Sequence, residues 1–185
     1  MSRKAYPGLR PLRVLRLSVA AVLLAAVALV GPGGAAPAQA HAGGGVYRLK
    51  LWWMWQRGDN FTAATPADDQ SAAPGYLLIR YEPWVYADPE AGTVPLQLYW
   101  HAGREDNASV ADINSLDAVA AAGYTYIRTQ GWLYATPGPG RVPLYLYWHA
   151  GRQDFLTVAT QASIDSAISA GYVLQRIEGY VMSNP

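Results

Sequence analysis

The sequence predicts an all-β domain with one short helix per repeat, and a threefold repetition of the chain is the main reason. The string VPLQLYWHAGRED begins at Val94 and VPLYLYWHAGRQD at Val142, a spacing of 48 residues, and a more divergent copy, LKLWWMWQRGDN, begins at Leu49. Each copy opens on an apolar, aromatic run that is typical of a β-strand. A unit of this length cannot bury its apolar face alone, so the three copies must pack against one another.

Each copy is predicted to contain a strand, a returning strand, a short helix and a further strand pair. In the third copy, 144–148 is an apolar and aromatic strand, 149–154 carries turn residues, and 155–158 is the returning strand. After the helix, 172–177 and 179–181 are the last two strands.

The helix of the third copy has a predicted start, face and end. Thr160 is suited to cap its N-terminus, Ile164, Ala167 and Ile168 share one face, and Gly171 ends it. The corresponding cap and terminating glycine are Asp112 and Gly123 in the second copy, and Thr65 and Gly75 in the first.

Three such units, with about four short strands each, favour a pseudo-threefold closed body that is β-trefoil-like. Closure removes the exposed strand edges through which β-rich proteins aggregate. Another closed threefold β arrangement is the alternative, whereas propellers normally use more than three blades. We expect a single domain over 47–185, divided into repeat 1 at 47–93, repeat 2 at 94–141 and repeat 3 at 142–185.

Residues 1–40 have the features of a secretory signal peptide. The start is rich in arginine and lacks acidic residues, an apolar run follows at 17–30, and Ala38-Gln39-Ala40 is a small-residue cleavage site. A retained transmembrane anchor is the alternative, but spanning a bilayer takes about 20 apolar residues and this run is shorter. We expect cleavage near Ala40, a flexible glycine-rich N-terminus at 41–46, and a secreted, extracellular protein.

The composition after cleavage argues against nucleic acid as a partner. The part after Ala40 keeps nine of the 14 basic residues and all 13 acidic ones, so its formal charge is about −4. We also expect no membrane contact once the leader is removed. The chain contains no cysteine, so an aromatic core must stabilise the domain without disulfides.

Several strings in the repeats resemble a known sequence family. YWHAGRxD, RGDNFTAAT, AGYTYI and IEGYVM are similar to a repeat of secreted bacterial proteins, common in actinobacteria and usually present in tandem triplicate. The likeness covers 47–185, with departures at Glu82-Pro83-Trp84, Gln130-Gly131-Trp132 and 106–109. The family is a repeat of unknown function that often accompanies hydrolase domains. The resemblance therefore implies export and a shared fold more than an activity.

Catalysis has little support in the sequence. His101 and His149 occupy one position of two repeats, and equivalent positions of a threefold body are expected on separate lobes, so the two should not share a metal ion or a triad. The chain contains no HExxH, GxSxG or P-loop motif and no cysteine nucleophile. A glycosidase-type carboxylate pair stays open, although no pair stands out. We predict no cofactor and no metal site.

Two groups of charged and aromatic residues recur in all three repeats. Recurrence favours a structural role, such as an arginine stacked on a ring and paired with a carboxylate. The alternative is a ring on which a sugar stacks while polar neighbours bind its hydroxyl groups. The candidate ligand-binding residues are Trp53, Arg57, Asp59, Trp84, Trp100, Arg104, Asp106, Trp132, Trp148, Arg152, Asp154 and Tyr180. The second group also contains Arg80 and Glu82, Arg128 and Gln130, and Arg176 and Glu178.

The sequence thus predicts a secreted, non-catalytic, lectin-like module whose partner is a polysaccharide, a glycan or another cell-envelope ligand. The second interpretation is a structural or protein-interaction module of the cell surface. A hydrolase is third. Whether the recurring rings lie in the core or at the surface decides between the first two.

Overall fold

The computed structural model describes residues 44–185. The predicted signal peptide and its cleavage site, together with residues 41–43, lie outside the described residues. The described elements are β1 Val46–Met54, β2 Asp59–Ala63, α1 Pro66–Ala72, β3 Leu77–Tyr86, β4 Thr93–His101, β5 Asp106–Val110, α2 Ile113–Ala121, β6 Thr125–Tyr134, β7 Arg141–His149, β8 Asp154–Val158, α3 Gln161–Ser169 and β9 Val173–Met182. The prediction of a β-rich domain with three short helices is confirmed.

Within each repeat the first strand lies between the other two, and all pairings are antiparallel. The three-stranded units are β2-β1-β3, β5-β4-β6 and β8-β7-β9. The last strand pair predicted for each repeat is one long strand. In repeat 3, Leu144 pairs with Gly179 and Tyr145 with Ile177, so Glu178 lies in a bulge where the sequence pattern suggested a break between two strands.

The three-stranded units are joined through the ends of their last strands. Each junction is a single residue pair, and the described strands do not form one continuous closed barrel. The three junctions are Tyr86 with Trp132, Tyr134 with Tyr180, and Trp84 with Met182. With so few ladder hydrogen bonds between the units, side-chain packing must hold them together.

The core is shared among the repeats. Its central cluster takes one leucine and one aliphatic residue from each: Leu49 and Val85, Leu96 and Leu133, Leu144 and Val181. Three outer clusters each contain a leucine from a neighbouring repeat. Leu51 packs into the cluster of repeat 3, Leu98 into that of repeat 1, and Leu146 into that of repeat 2. Each repeat therefore completes the core of another, as its short length requires.

Two helices are capped by a glutamate from a different repeat. Glu82 Oε2 accepts hydrogen bonds from the backbone N–H groups of Ala159 (2.9 Å) and Thr160 (2.7 Å) at the start of α3. Glu178 Oε2 accepts the equivalent bonds from Ala111 (2.7 Å) and Asp112 (2.8 Å) at the start of α2. A carboxylate satisfies N–H groups that would otherwise be unpaired and is favoured by the helix dipole.

The prediction that the Thr160 side chain caps α3 is wrong. Its side chain makes no cap hydrogen bond to α3, and instead its hydroxyl donates to Glu82 Oε1 at 2.9 Å. The expected caps at Thr65 and Asp112 are confirmed, since each side chain accepts a bond from the first turn of its helix.

In repeat 1 the capping carboxylate belongs to the helix α1 itself and not to a strand of another repeat. Asp68 of α1 accepts from the N–H groups of Ala64 (3.0 Å) and Thr65 (2.9 Å), the role that a glutamate fills for the other helices. The position of that glutamate holds Gln130, whose Nε2 donates to Asp68 Oδ2 at 3.2 Å. An amide is the suitable partner because two buried carboxylates side by side would repel. The departure of Gln130 from the repeat pattern thus has a physical reason.

We expect Gly179→Ala to destabilise the fold far more than Gly140→Ala. A Cβ at Gly179 would overlap Leu133 Cδ1 and lie 2.8 Å from the carbonyl oxygen of Tyr134, at the junction of β6 and β9. Overpacking of this kind costs about 1–3 kcal/mol. Gly140 also has a positive φ, of 69°, but nothing lies within 4 Å of its Cβ position, so its substitution reports the backbone cost alone, roughly 1–2 kcal/mol. Denaturant unfolding measures both, and equal losses would contradict the close junction.

Candidate functional site

Three aspartates, one from each repeat, meet in the interior. Asp59, Asp106 and Asp154 begin β2, β5 and β8, and one carboxylate oxygen of each lies within 4.8 Å of the others. Their exposed fractions are 3%, 1% and 2%. The sequence pattern made these residues ligand-binding candidates, but burial places their carboxyl groups out of reach of a surface ligand. The expectation that equivalent positions lie on separate lobes also fails for them, because β2, β5 and β8 pack against one another.

Each aspartate is bonded by its own repeat and by another one. The donor from its own repeat is a tyrosine hydroxyl, in the pairs Tyr76 to Asp59, Tyr124 to Asp106 and Tyr172 to Asp154. The donors from the other repeats are Asn107 Nδ2 to Asp59 (3.4 Å), the Phe155 N–H to Asp106 (3.2 Å), and the N–H (3.0 Å) and Nδ2 (2.9 Å) of Asn60 to Asp154. The network therefore runs through all three repeats.

Burial makes these carboxyl groups unusually weak acids. Loss of solvation, together with the nearby carboxyl groups, raises the pKa of Asp59 to about 7 and that of Asp106 to about 9. Burial likewise raises the pKa of Asp154. Asp59 Oδ1 is buried without a hydrogen-bond partner, which further disfavours the ionised form. Three ionised aspartates could in principle ligate a hard cation such as Ca²⁺. The tyrosine and amide donors lower the pKa of these carboxyl groups, but burial raises it by more, so the net shift is upward.

The recurring arginines and tryptophans come together between the repeats. Each guanidinium lies against a tyrosine of its own repeat and a tryptophan of another, 5.1–5.6 Å from the two ring centres. The three contacts are Arg57 with Trp100 (5.5 Å), Arg104 with Trp148 (5.4 Å) and Arg152 with Trp53 (5.1 Å). All three tryptophans are half-buried, so they are neither core nor fully exposed.

Each of these contacts lies at or beside a cleft between two repeats. We call these clefts by the repeats that form them. The 1–2 cleft has a volume of about 240 Å³ and is lined by Arg57, Tyr76, Trp100, Asn107 and Arg128, among others. The 3–1 cleft has a volume of about 180 Å³ and is lined by the equivalent Arg152, Tyr172, Trp53, Asn60 and Arg80. The 2–3 cleft, between α2 and the strands of repeat 3, measures only about 60 Å³.

A single substitution accounts for much of the difference in size. Phe155 occupies the position that Asn60 and Asn107 hold in the other repeats, and it lines the 2–3 cleft. Its ring centre lies 4.5 Å from that of Trp148 and 5.8 Å from that of Tyr124. The phenyl ring takes up space that an asparagine leaves open and packs against the tryptophan, so the 2–3 cleft is the smallest of the three.

The second predicted aromatic set lies elsewhere. Trp84, Trp132 and Tyr180 are half-buried near the ends of β3, β6 and β9, where the three units join, and none of the three lines a described cleft. Their pairing with neighbouring strand ends indicates a role in assembling the fold.

Sequence reasoning missed the tyrosines that bind the aspartates. Tyr76, Tyr124 and Tyr172 are each 5–7% exposed and each follows the glycine that ends a helix. The recurring Gly-Tyr dipeptide was the available signal. It was interpreted as the start of a strand, although a tyrosine kept in all copies beside a charged turn also predicts a buried hydroxyl that needs a partner.

No family model, curated protein or solved structure matches this chain. The resemblance to the tandem bacterial repeat therefore stays a prediction. Among residues 44–185, no helix has the length and apolar character needed to cross a membrane.

We expect the free energy of unfolding to fall as the pH rises from about 4 to 9. Asp59 and Asp106 have raised pKa values, so between their ordinary value of 3.8 and about 7 or 9 the folded state binds more protons than the unfolded state. Their stabilising contribution is complete below pH 4 and is lost as the pH rises through the raised values. Since one pKa unit corresponds to about 1.4 kcal/mol, the loss should reach several kcal/mol.

Denaturant unfolding across this pH range measures the effect. Asp106→Asn should flatten the curve because its side chain cannot ionise. Asp117→Asn, which changes an exposed carboxylate on α2, should leave the slope unchanged. Stability that is constant or rises with pH would mean that the buried aspartates are ionised in the folded protein.

Proposed function

We propose that this protein is a secreted, non-catalytic binding module for a carbohydrate or a related cell-envelope ligand. The observation that carries the proposal is the pair of open clefts, 1–2 and 3–1, which present the same set of side chains. Each combines a half-buried tryptophan with an arginine, a tyrosine and an asparagine from two repeats.

This combination suits a sugar better than a purely apolar ligand. A sugar ring can place its C–H face on an indole while its hydroxyl groups bond to planar amide and guanidinium groups. In the 3–1 cleft, Trp53 supplies the ring and Arg152 supplies a guanidinium group at its side. The Nδ2 group of Asn60, which also lines the cleft, is already bonded to Asp154 and Tyr172. The arginine is already held against the ring at 5.1 Å, so little side-chain freedom is lost when a ligand binds.

We further propose that the three repeats are related by an approximate threefold axis in a β-trefoil-like body. The arginine–tryptophan contacts support this arrangement, since they run from repeat 1 to 2, from 2 to 3 and from 3 to 1. Two usable clefts on one body would let a polymer bind more tightly than a single sugar, because linked sites raise the effective concentration.

Burial of the aspartates argues against a hydrolase that uses them. The carboxyl groups with raised pKa values are 1–3% exposed, so a glycosidic bond could not reach them.

A protein-interaction module is the second candidate, and exposed apolar residues favour it. They lie at the starts of β3, β6 and β9, and each is between 38% and 63% exposed: Leu77, Leu78, Ile79, Tyr126, Ile127, Val173 and Leu174. Such residues can form a contact surface for another protein.

We expect Trp53→Ala and Trp100→Ala each to weaken binding to the polysaccharide that the protein retains in a pull-down panel. Loss of a stacking platform should reduce affinity by about 10-fold or more, equivalent to about 1.4 kcal/mol. Because both rings are half-buried, the variants should still unfold cooperatively.

Trp132→Ala is the matched control, since Trp132 is also half-buried but lies outside the described clefts. Calorimetry should accompany each binding measurement. If Trp132→Ala weakens retention as much as the cleft variants do, or if no panel member is retained, the clefts are not carbohydrate sites and the protein-interaction function takes precedence.

A further inference from the structure

We infer that the 3–1 cleft binds an acidic sugar residue, one that carries a carboxylate group, while the 1–2 cleft is suited to a neutral sugar. This inference rests on the proposed carbohydrate function and adds the charge of the ligand. It comes from the ion pairs of the four arginines that line the two clefts.

The arginines of the 1–2 cleft are close to carboxylates of the protein. Arg57 Nη2 lies 3.6 Å from Asp59 Oδ2, and Arg128 Nη1 lies 3.3 Å from Asp68 Oδ1. Arg57 also donates to the Tyr76 hydroxyl at 2.7 Å. A ligand carboxylate would have to compete with these existing partners, so the 1–2 cleft gains little from negative charge on the ligand.

The arginines of the 3–1 cleft have no such partner. Within residues 44–185, neither Arg80 nor Arg152 forms an ion pair. Arg80 Nη1 donates to the Ser163 hydroxyl at 2.9 Å, and Arg152 Nη1 makes a long contact of 3.4 Å with the Tyr172 hydroxyl. Both guanidinium groups keep donors that are free for an incoming acceptor, since each has five N–H bonds.

The acidic groups that share a hydrogen-bond partner with these arginines are already engaged. Glu82 is buried and its oxygens accept bonds from the start of α3 and from Ser163. Asp154 is buried and accepts bonds from Asn60 and Tyr172, and burial raises its pKa. Neither of these carboxyl groups forms an ion pair with Arg80 or Arg152, so the arginines of the 3–1 cleft are less directly paired than those of the 1–2 cleft.

The dimensions of the 3–1 cleft fit one sugar residue. At about 30 Å³ for each water molecule, its volume of about 180 Å³ holds roughly six waters, comparable to a single ring. Trp53 offers the stacking surface, and Arg152 and Arg80 line the same space. Arginine binds a carboxylate through two parallel hydrogen bonds, which provides both affinity and orientation.

The 2–3 cleft supplies an internal control. Arg104 and Arg176 correspond to Arg152 and Arg80 in the repeat pattern, but there Phe155 fills the space beside Trp148. Arg176 also lies 3.5 Å from Asp112 Oδ1, so its charge is compensated. Substituting these two arginines changes the net charge of the protein by the same amount without touching an open cleft.

The test uses the full mature chain and three soluble probes: a galacturonate hexamer, the fully methyl-esterified form of that hexamer, and polyglutamate. Titration calorimetry gives the affinity for each at low and at physiological salt. We expect the acidic hexamer to bind at least about 10-fold more tightly than its ester, with an affinity that falls as salt rises.

Arg152→Gln and Arg80→Gln should each lower the affinity for the acidic hexamer by a larger factor than the affinity for the ester, so that most of the preference for the acid is lost. Arg104→Gln and Arg176→Gln should change neither affinity. Thermal unfolding of every variant identifies any that has lost its fold. If Arg152→Gln does not fold, Arg152→Lys takes its place. Lysine keeps the charge but not the paired donors, so this variant should lower the preference for the acidic hexamer in part.

Three outcomes would overturn the inference. Equal binding of acid and ester, or equal losses from the control variants, would show that Arg80 and Arg152 do not select a carboxylate, while the carbohydrate function would stand. Polyglutamate that binds as tightly as the acidic hexamer would show that charge alone is recognised. If neither hexamer binds and no polysaccharide is retained, the proposed function itself fails.

Discussion

The fold depends on three buried carboxyl groups that no single repeat can satisfy. Asp59, Asp106 and Asp154 start the three short strands that pack together inside the molecule, and each receives hydrogen bonds from its own tyrosine and from the backbone or amide of another repeat. A buried carboxyl group without partners is costly, so each aspartate can be buried only where another repeat supplies part of its hydrogen bonding. The leucines that each repeat packs into the core of another also hold the repeats together. Cooperativity among the repeats follows from both.

The same arrangement creates the clefts. The turn before each aspartate carries an arginine, and burial of the aspartate in the shared interior brings that arginine under the tryptophan of the next repeat. The structural and the functional interpretations of the recurring residues are therefore not exclusive. The aspartates hold the repeats together, whereas the tryptophans and arginines lie at or beside the clefts between the repeats. The repeats then differ by a few residues. Phe155 fills one gap, and Asp68 replaces the glutamate found elsewhere, with Gln130 beside it, so that the carboxylate lies next to Arg128 of the 1–2 cleft.

Local structure could be predicted from the sequence, and contacts between repeats largely could not. The order of strands and helices, the caps at Thr65 and Asp112, and the helix ends follow from residue type and spacing alone. The bulge at Glu178 was mistaken for a break because its glutamate reaches a helix of another repeat, which no local pattern reveals. The burial of the three aspartates, which the sequence pattern offered only as ligand-binding candidates, could not be predicted for a similar reason. A charged residue after a turn is usually exposed, and only the packing of β2, β5 and β8 reverses that expectation.

The measurement that tests the central claim most directly is the ¹H–¹⁵N spectrum of the tryptophan side chains during titration with the galacturonate hexamer. Each indole N–H gives its own signal, so the spectrum reports separately on every cleft. If the ligand binds between repeats 3 and 1, the signal of Trp53 moves first and furthest. Trp100 follows at higher concentration, and Trp148, covered by Phe155, stays in place. Movement of Trp148 or Trp132 with Trp53 unchanged would contradict the account.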